Sequence, residues 1–199
     1  MERVSLFIDG SLLYHDWKSL VGNKNMDLQK LINLIINKKS NRQLKRAYYY
    51  NSPVHPSYAQ RTREAQQRFY TVLNDIPKLD VCLGRLQKKN IILGPNGYNI
   101  SCNNCNQGIE QEITAYIDKG TDINLATDML IQSYSKNYDV ALILSRDADF
   151  CKVVREVKRN GQDVELVIFE HMKTKATELS NTVDDKLIIT YDDCMNCIL

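Results

Sequence analysis

Four aspartates occupy positions in the sequence where catalytic carboxylates are commonly found. Asp147 and Asp149 lie two residues apart, directly after the apolar run 140–144, and Asp9 follows another apolar run near the start. Asp122 opens a segment of helical character that leads into the run 140–144. Because ligands of an open α/β sheet bind outside the carboxyl ends of its strands, we expect all four carboxylates on one rim.

Carboxylates that converge in this way repel one another, and they stay ionised near neutral pH only when cations compensate them. Oxygen-only ligands suit Mg²⁺ or Mn²⁺. Such an ion can supply an activated water for phosphodiester hydrolysis. The pattern therefore predicts a divalent-metal site in which Asp9, Asp122, Asp147 and Asp149 are both the metal ligands and the catalytic residues.

Each of these aspartates also has a simpler interpretation as a helix cap. An Asp at a strand-to-helix junction often accepts hydrogen bonds from the amides of the first helical turn. Capping is compatible with metal binding at Asp122 and Asp147, whereas "GSLLY" after Asp9 is a weaker helix start. Asp128 lies about one and two-thirds turns after Asp122 and therefore off its face, where it either supports the site or faces solvent.

The elements that would position these acids alternate between strands and helices. Apolar runs predict strands at 4–8, 44–50, 79–83, 140–144, 164–169 and 187–190. Helical spacing and caps predict helices at 28–36, 56–74, 122–135, 147–160 and 176–183. This alternation predicts an α/β fold with a mostly parallel sheet and helices on both faces. Without a repeat or a low-complexity linker, one domain over 1–199 is the simplest interpretation.

The segment 87–108 resembles an insertion, and "GPNG" within it suggests the turn of a hairpin. It carries one CxxC pair, Cys102 and Cys105, while a second pair, Cys194 and Cys197, lies near the end of the chain. Four thiolates in two such pairs would suit a structural Zn²⁺. The pairs are far apart in sequence, so their meeting at one ion is left open.

Composition and missing motifs narrow the classes of function. A net charge of +2 neither demands nor excludes a nucleic-acid partner. No stretch approaches the ~18 to 20 apolar residues of a membrane span, and the first ten residues do not resemble a signal peptide. We therefore expect a cytoplasmic protein without a membrane partner, its homo-oligomeric state left open. No dinucleotide or P-loop signature occurs, so a nucleotide cofactor is not expected.

Three segments together resemble the NYN domain in its LabA-like branch. They are "LFIDGSLLYH" (6–15), "KGTDINLATDML" (119–130) and "DVALILSRDADFCKVVREVKRNGQDVEL" (139–166), and "LGRL" (83–86) is similar to the third-strand region of the family. The segments occur in the family's order. The resemblance covers about residues 4–169, most of the chain.

The NYN family belongs to the PIN-like nucleases, so the resemblance implies a three-layer α/β/α fold and a metal-dependent ribonuclease site. Asp9 matches the first-strand acid of the family. Asp122 matches the acid of its "KGxD" motif, and Asp128 matches the later acid of the same helix. Asp147 and Asp149 match the two acids of its "SxDxDF" motif. In the same motif, Ser145 would shape the turn and bond a carboxylate or a water on the metal.

Two positions depart from the family pattern. Leu12 stands where the family usually has Asn. That Asn is polar and faces the site, so the loss of the Asn could weaken the positioning of metal or phosphate. Arg146 stands where Gly is common, and it could contact phosphate or pair with an acid. The complete set of acids favours an active ribonuclease. The two departures support the alternative, a non-catalytic RNA-binding or regulatory module, and a phosphatase of small phosphoesters is a third, weaker candidate.

Basic and aromatic side chains could contact RNA. Arg146, Lys119 and Arg46 are the candidate phosphate contacts, with further cations such as Lys88 and Lys89 nearby in sequence. The tyrosines 48–50 could stack on unpaired bases. The plainer interpretation is that these tyrosines pack in the core of a strand and that the charges form a solvated surface.

Overall fold

The computed structural model describes residues 1–93, 111–172 and 177–199, with backbone alone described at 91–93, 111–113 and 177. Its strands are β1 (Glu2–Asp9), β2 (Arg42–Asn51), β3 (Leu79–Leu83), β4 (Arg85–Leu93), β5 (Gln111–Lys119), β6 (Val140–Leu144), β7 (Asp163–Phe169) and β8 (Asp185–Ile189). Its helices are α1 (Gly10–Val21), α2 (Leu28–Asn37), α3 (Gln60–Asn74), α4 (Thr121–Tyr134), α5 (Cys151–Arg159), α6 (Thr177–Thr182) and α7 (Tyr191–Met195). Within the described ranges, no helix combines the length and the apolar character needed to cross a bilayer.

Six parallel strands form the central sheet, in the order β3-β2-β1-β6-β7-β8. Helices supply the crossover connections that parallel strands require. The predicted α/β fold with a mostly parallel sheet between helices is confirmed, in agreement with a three-layer PIN-like architecture. The strand order reverses between β1 and β6. Sheets of this type bind ligands at such a switch point, outside the carboxyl ends of the strands.

Two apolar clusters cover the two faces of the sheet. Leu6 and Ile8 of β1 point into a cluster with α1, α2 and α3, while Phe7 points into a cluster with α4 and α5. This alternation follows from the two-residue period of a strand. Because both faces are covered, central strands are nearly continuous apolar runs, and every residue of β6 is buried. The polar groups of the sheet are therefore concentrated at the strand ends.

Helix α1 begins directly after β1, where the sequence indicated only a weak helix start. Asp9 is its cap, and its Oδ1 accepts a hydrogen bond from the backbone N–H of Leu12 at 3.0 Å. Gly10 is needed for close packing, because a Cβ there would lie 2.5 Å from the hydroxyl oxygen of Tyr49. The helix forms because Leu13, Trp17 and neighbouring apolar residues are buried against the sheet.

Strands β4 and β5 form an antiparallel pair outside the central sheet. The sequence predicted a hairpin here but assigned no strand to 111–119, and this part of the prediction was wrong. The strand was missed because charged and polar residues interrupt its apolar positions, so that it shows no apolar run. It can be polar because it belongs to a separate two-stranded sheet and not to the central one. The "GPNG" turn at 94–97 lies outside the described residues.

The two CxxC pairs differ in what the structure says of them. Cys194 and Cys197 are buried in the apolar cluster beside α1 and α2. Burial raises the pKa of Cys194 to about 12, and it also raises the pKa of Cys197, so this environment favours the neutral form of both thiols. Cys102 and Cys105 lie outside the described residues, so the four-cysteine Zn²⁺ site stays a prediction.

Candidate active site

The carboxyl ends of β1 and β6 meet at the switch point of the sheet. The two strands pair in register up to Ile8 and Leu144, so that Asp9 and Ser145 are the next residues along adjacent strands. The hydroxyl of Ser145 donates to Oδ2 of Asp9 across this junction at 3.4 Å, and Ser145 is fully buried. The first predicted acid is thus held by a neighbouring strand as well as by its own helix.

The loop after β6 positions two further acids through its own hydrogen bonds. The N–H of Asp147 donates to Oγ of Ser145 at 3.2 Å, and Oδ1 of Asp147 accepts from the N–H of Asp149 at 2.9 Å. Asp147 thereby caps the short 3₁₀ turn Ala148–Phe150, which leads into α5. Both carboxylates stay exposed, while Phe150 is buried and anchors the turn.

Asp122 reaches the same rim from the first turn of α4. Gly120 before it has a φ of 95°, a left-handed conformation that favours glycine, and so the chain turns sharply from β5 into the helix. Partial burial raises the pKa of Asp122, and the negative charges of Asp147, Asp118 and Asp149 raise it further. The carboxylates are therefore close enough to repel one another.

Asp9 belongs to the same electrostatic cluster. Burial is the largest cause of its raised pKa, and the charge of Asp122 adds to it, while hydrogen bonds from the Leu12 N–H and Ser145 act in the opposite direction. Asp122 thus connects Asp9 to the two acids after β6. The charges of the four aspartates that the sequence singled out thus act on one another through Asp122.

The donor set fits a hard divalent cation. Over the described ranges, no Lys or Arg forms an ion pair with any of the four aspartates. In the same ranges, no group of three or more His, Cys, Asp or Glu side chains is arranged so that it could hold a metal ion. Mg²⁺ usually keeps several waters and takes one or two carboxylates directly. By the type of donor alone, carboxylate oxygens fit Mg²⁺ or Mn²⁺, and most of the coordination of such an ion would be left to water.

The family comparison agrees with this arrangement. The model of the NYN domain matches residues 3–190. The chain belongs to the NYN domain family. This confirms the resemblance drawn from the three sequence segments, while the LabA-like branch stays a prediction. NYN domains are part of the PIN-like nuclease superfamily, which suggests nuclease activity.

Structural comparison supports the fold of this NYN domain. The chain is similar to the crystal structure of a protein of unknown function from Vibrio parahaemolyticus, with a TM-score of 0.59 and 15% identity. The match covers 97% of this chain and 95% of that chain. At this identity the likeness shows the fold alone. No curated protein matches the chain.

Asp118 is an acid of this NYN domain that the sequence analysis missed. It lies near the end of β5, where its Oδ1 accepts a hydrogen bond from the hydroxyl of Thr121 at 3.0 Å. Its charge contributes to the raised pKa of Asp122. Because 111–119 was not predicted as a strand, nothing in the sequence indicated that Asp118 lies near the acidic rim.

Asp128 bonds to a tyrosine that the register of β1 and β2 places beside Asp9. Its Oδ2 accepts a hydrogen bond at 3.0 Å from the hydroxyl of Tyr50, which is fully buried in β2. Tyr48 and Tyr49 are buried as well, so the plainer interpretation, that this run packs in the core, is confirmed, and these rings offer no face to RNA bases. Asp128 holds a core tyrosine beneath α4.

The three cations expected to contact RNA are in different environments. Arg146 points to α1, where its Nη2 and Nε donate to the carboxylate of Asp16 at 2.7 and 3.1 Å. Arg46 pairs with Asp80 at 3.0 Å. Lys119 is exposed at the end of β5, and it forms no ion pair with any described residue. Of the three, Lys119 has the charge most available to a ligand.

Proposed function

We propose that this NYN domain is a divalent-metal-dependent ribonuclease of the LabA-like branch. The observation that carries the proposal is that Asp9, Asp147 and Asp149 follow the ends of the adjacent strands β1 and β6, with charges that act together with that of Asp122. Membership of a family related to nucleases supports the reaction class. Family motifs around the same four acids support RNA as the substrate.

The four aspartates would hold Mg²⁺ or Mn²⁺, directly or through water. A bound ion would supply an activated water and a positive charge for the phosphate oxygens. The chain contributes the placement of the acids: Ser145 and the N–H of Leu12 fix Asp9, and the loop after β6 fixes Asp147. Since burial and mutual repulsion raise the pKa of Asp9 and of Asp122, a cation would favour their ionised forms.

The alternative function is RNA binding without cleavage. It is favoured by Leu12, whose side chain packs against the apolar cluster under α1 and offers no polar group at the rim. Replacement of Leu12 by Asn tests this alternative directly. A large gain in cleavage for Leu12→Asn would show that the natural site is impaired, whereas unchanged cleavage would show that Leu12 does not limit activity.

The decisive experiment is cleavage of labelled single-stranded and hairpin RNA by the pure protein. Reactions would contain Mn²⁺, Mg²⁺ or EDTA, and Asp147→Asn would be compared with the wild type. The Asn variant keeps a capping group for the turn, so its fold should be retained. Asp163→Asn is the matched control, because Asp163 is exposed at the opposite end of a strand, the start of β7.

We expect cleavage that needs a divalent ion, is lost in Asp147→Asn and is kept in Asp163→Asn. Cleavage that survives EDTA, or that is equal in the two variants, would overturn the proposed site. Absence of cleavage together with RNA binding that survives Asp147→Asn would establish the binding module instead.

A further inference from the structure

The β4–β5 hairpin presents a row of cations on one of its two faces. The register places Arg85 opposite Lys119 and Lys89 opposite Ala115. Directly opposite residues of an antiparallel pair lie on one face, and so do residues separated by an even number of positions along a strand. Arg85, Lys89 and Lys119 therefore share a face of the hairpin, called here the cationic face.

The three side chains of the cationic face are available to a ligand. All three are exposed. Among the residues that the structure describes, none of the three donates a hydrogen bond or forms an ion pair with a carboxylate, in contrast to Arg46 and Arg146. Their charges are thus not neutralised by this part of the chain.

The opposite face of the hairpin is attached to the body of the domain. Tyr116 lies on that face, and its ring packs edge-to-face against His55, with 4.5 Å between ring centroids. Asp118, also on that face, accepts the hydrogen bond from Thr121. Lys88 is directly opposite Tyr116 and so belongs to the attached face. The cationic face is consequently turned away from these contacts.

The cationic face begins beside the acids. Lys119 ends β5 and Thr121 begins α4, only one residue before Asp122. The base of the hairpin packs tightly there, because a Cβ on Gly84 would lie 2.5 Å from Oγ1 of Thr121. From Arg85 to Lys89 a strand advances by about 13 to 14 Å. The row of cations therefore starts at the acidic rim and extends outward along the hairpin.

We propose that the cationic face binds the phosphate backbone of an RNA strand and leads it to the acidic rim. The destination of the strand rests on the proposed function. Four uncompensated carboxylates repel a polyanion, and a row of free cations beside them offsets this repulsion. Contacts to phosphates are electrostatic and independent of sequence, which suits exposed Lys and Arg without a surrounding pocket.

The test measures RNA binding separately from cleavage. Labelled single-stranded RNA is titrated with protein carrying Asp147→Asn, in EDTA and at several salt concentrations. The variant Arg85→Gln/Lys89→Gln/Lys119→Gln is compared with a control that loses the same charge elsewhere, Lys18→Gln/Lys45→Gln/Lys186→Gln. These control lysines are exposed on α1, β2 and β8. Thermal melting of each protein checks that the fold is kept.

We expect the hairpin variant to lose about tenfold or more in affinity, and the slope of log K against log salt to fall by roughly 2, at ~0.7 for each phosphate contact removed. The control should retain its affinity within about twofold, and its slope should stay unchanged. Duplex RNA in a parallel titration shows which form of the backbone the face prefers. A hairpin variant that binds RNA as the control does would overturn the inference.

Single substitutions test the choice of face. Lys89→Gln should weaken binding several-fold, whereas Lys88→Gln, one residue away on the attached face, should change it little. Equal losses would overturn the assignment of the cationic face, and so would a wild-type protein that does not bind RNA.

Cleavage by the wild type is measured in parallel with Mn²⁺. If the wild type binds RNA through the cationic face but does not cleave it, only the nuclease proposal is removed. If the hairpin variant cleaves RNA as fast as the wild type does, only this inference is removed.

Discussion

The guanidinium of Arg146 forms a two-pronged ion pair with the carboxylate of Asp16, at 2.7 and 3.1 Å. Asp16 lies in α1 with its side chain 2% exposed, whereas the side chain of Arg146 is 21% exposed. Arg146 stands between Ser145 and Asp147, so the pair ties the acid-bearing loop to the helix that Asp9 caps. Such paired N–H···O bonds add geometric definition as well as attraction.

Arg146→Ala should destabilise the protein more than Asp16→Asn does. The first change leaves a buried carboxylate without its partner, which typically costs about 3 to 5 kcal/mol. The second leaves an Arg that is already partly in water, so its cost should be smaller. Urea unfolding of both variants checks the order. Arg155→Ala, on the exposed face of α5, is the control, and an Arg146→Ala cost as small as that of the control would contradict the prediction.

Asp122→Asn should raise the stability of the metal-free protein at neutral pH. The folded-state pKa of Asp122 is raised, so the folded protein loses stability as pH increases from the unfolded pKa through the folded one. The uncharged Asn removes this cost, and we expect a melting temperature higher by about 2 °C in EDTA at pH 7. Below about pH 4 the gain should vanish, because the carboxyl is then protonated in both states.

Addition of Mn²⁺ should reverse the order of the melting temperatures of Asp122→Asn and the wild type. A cation that binds the folded acids raises the melting temperature of the wild type more than that of Asp122→Asn. Asp163→Asn serves as the control, since it should follow the wild type with and without Mn²⁺. If Asp122→Asn melts at a lower temperature than the wild type in EDTA, the prediction is contradicted, because the aspartate would then stabilise the metal-free fold.

Asp128→Ala should weaken the fold without altering the response to metal. The change leaves the buried hydroxyl of Tyr50 without its acceptor, which costs about 1 to 3 kcal/mol. Tyr50→Phe in the same protein removes the orphaned hydroxyl and should restore part of that stability. Urea unfolding measures the first effect, and the shift in melting temperature with Mn²⁺ measures the second. A lost Mn²⁺ shift would place Asp128 at the metal instead.

Gly10→Ala should be destabilising by about 1 to 3 kcal/mol, the usual range for overpacking. The added methyl group would meet the ring of Tyr49, which is buried in β2 and has no room to withdraw. Tyr49→Leu provides that room, so the double variant should lose less than the sum of the two single variants. Exact additivity in urea unfolding would show that the two residues do not press on one another.

The sequence by itself determined the class of fold and the acids of the candidate site. Strands at 79–83 and 140–144 were predicted with their observed bounds. The run 140–144 is short, unbroken and apolar because the strand is covered on both faces, with every residue buried. Asp9, Asp147 and Asp149 could be located for the same reason, since each directly follows such a run or the turn after it. The capping preference of Asp also placed Asp122 at the start of its helix; in the structure it lies in the first turn, and Gly120 occupies the cap position.

Only the tertiary structure decided which groups face one another. Arg146 pairs with Asp16, 130 residues away, because the loop after β6 packs against α1, and no local pattern records such a contact. Helix α1 forms despite its weak start because its apolar face is buried, and burial contributes more than local helix preference does. Asp118 and the cationic face depend on β5, a half-exposed ribbon strand whose pairing with β4 can be seen only once the chain is folded.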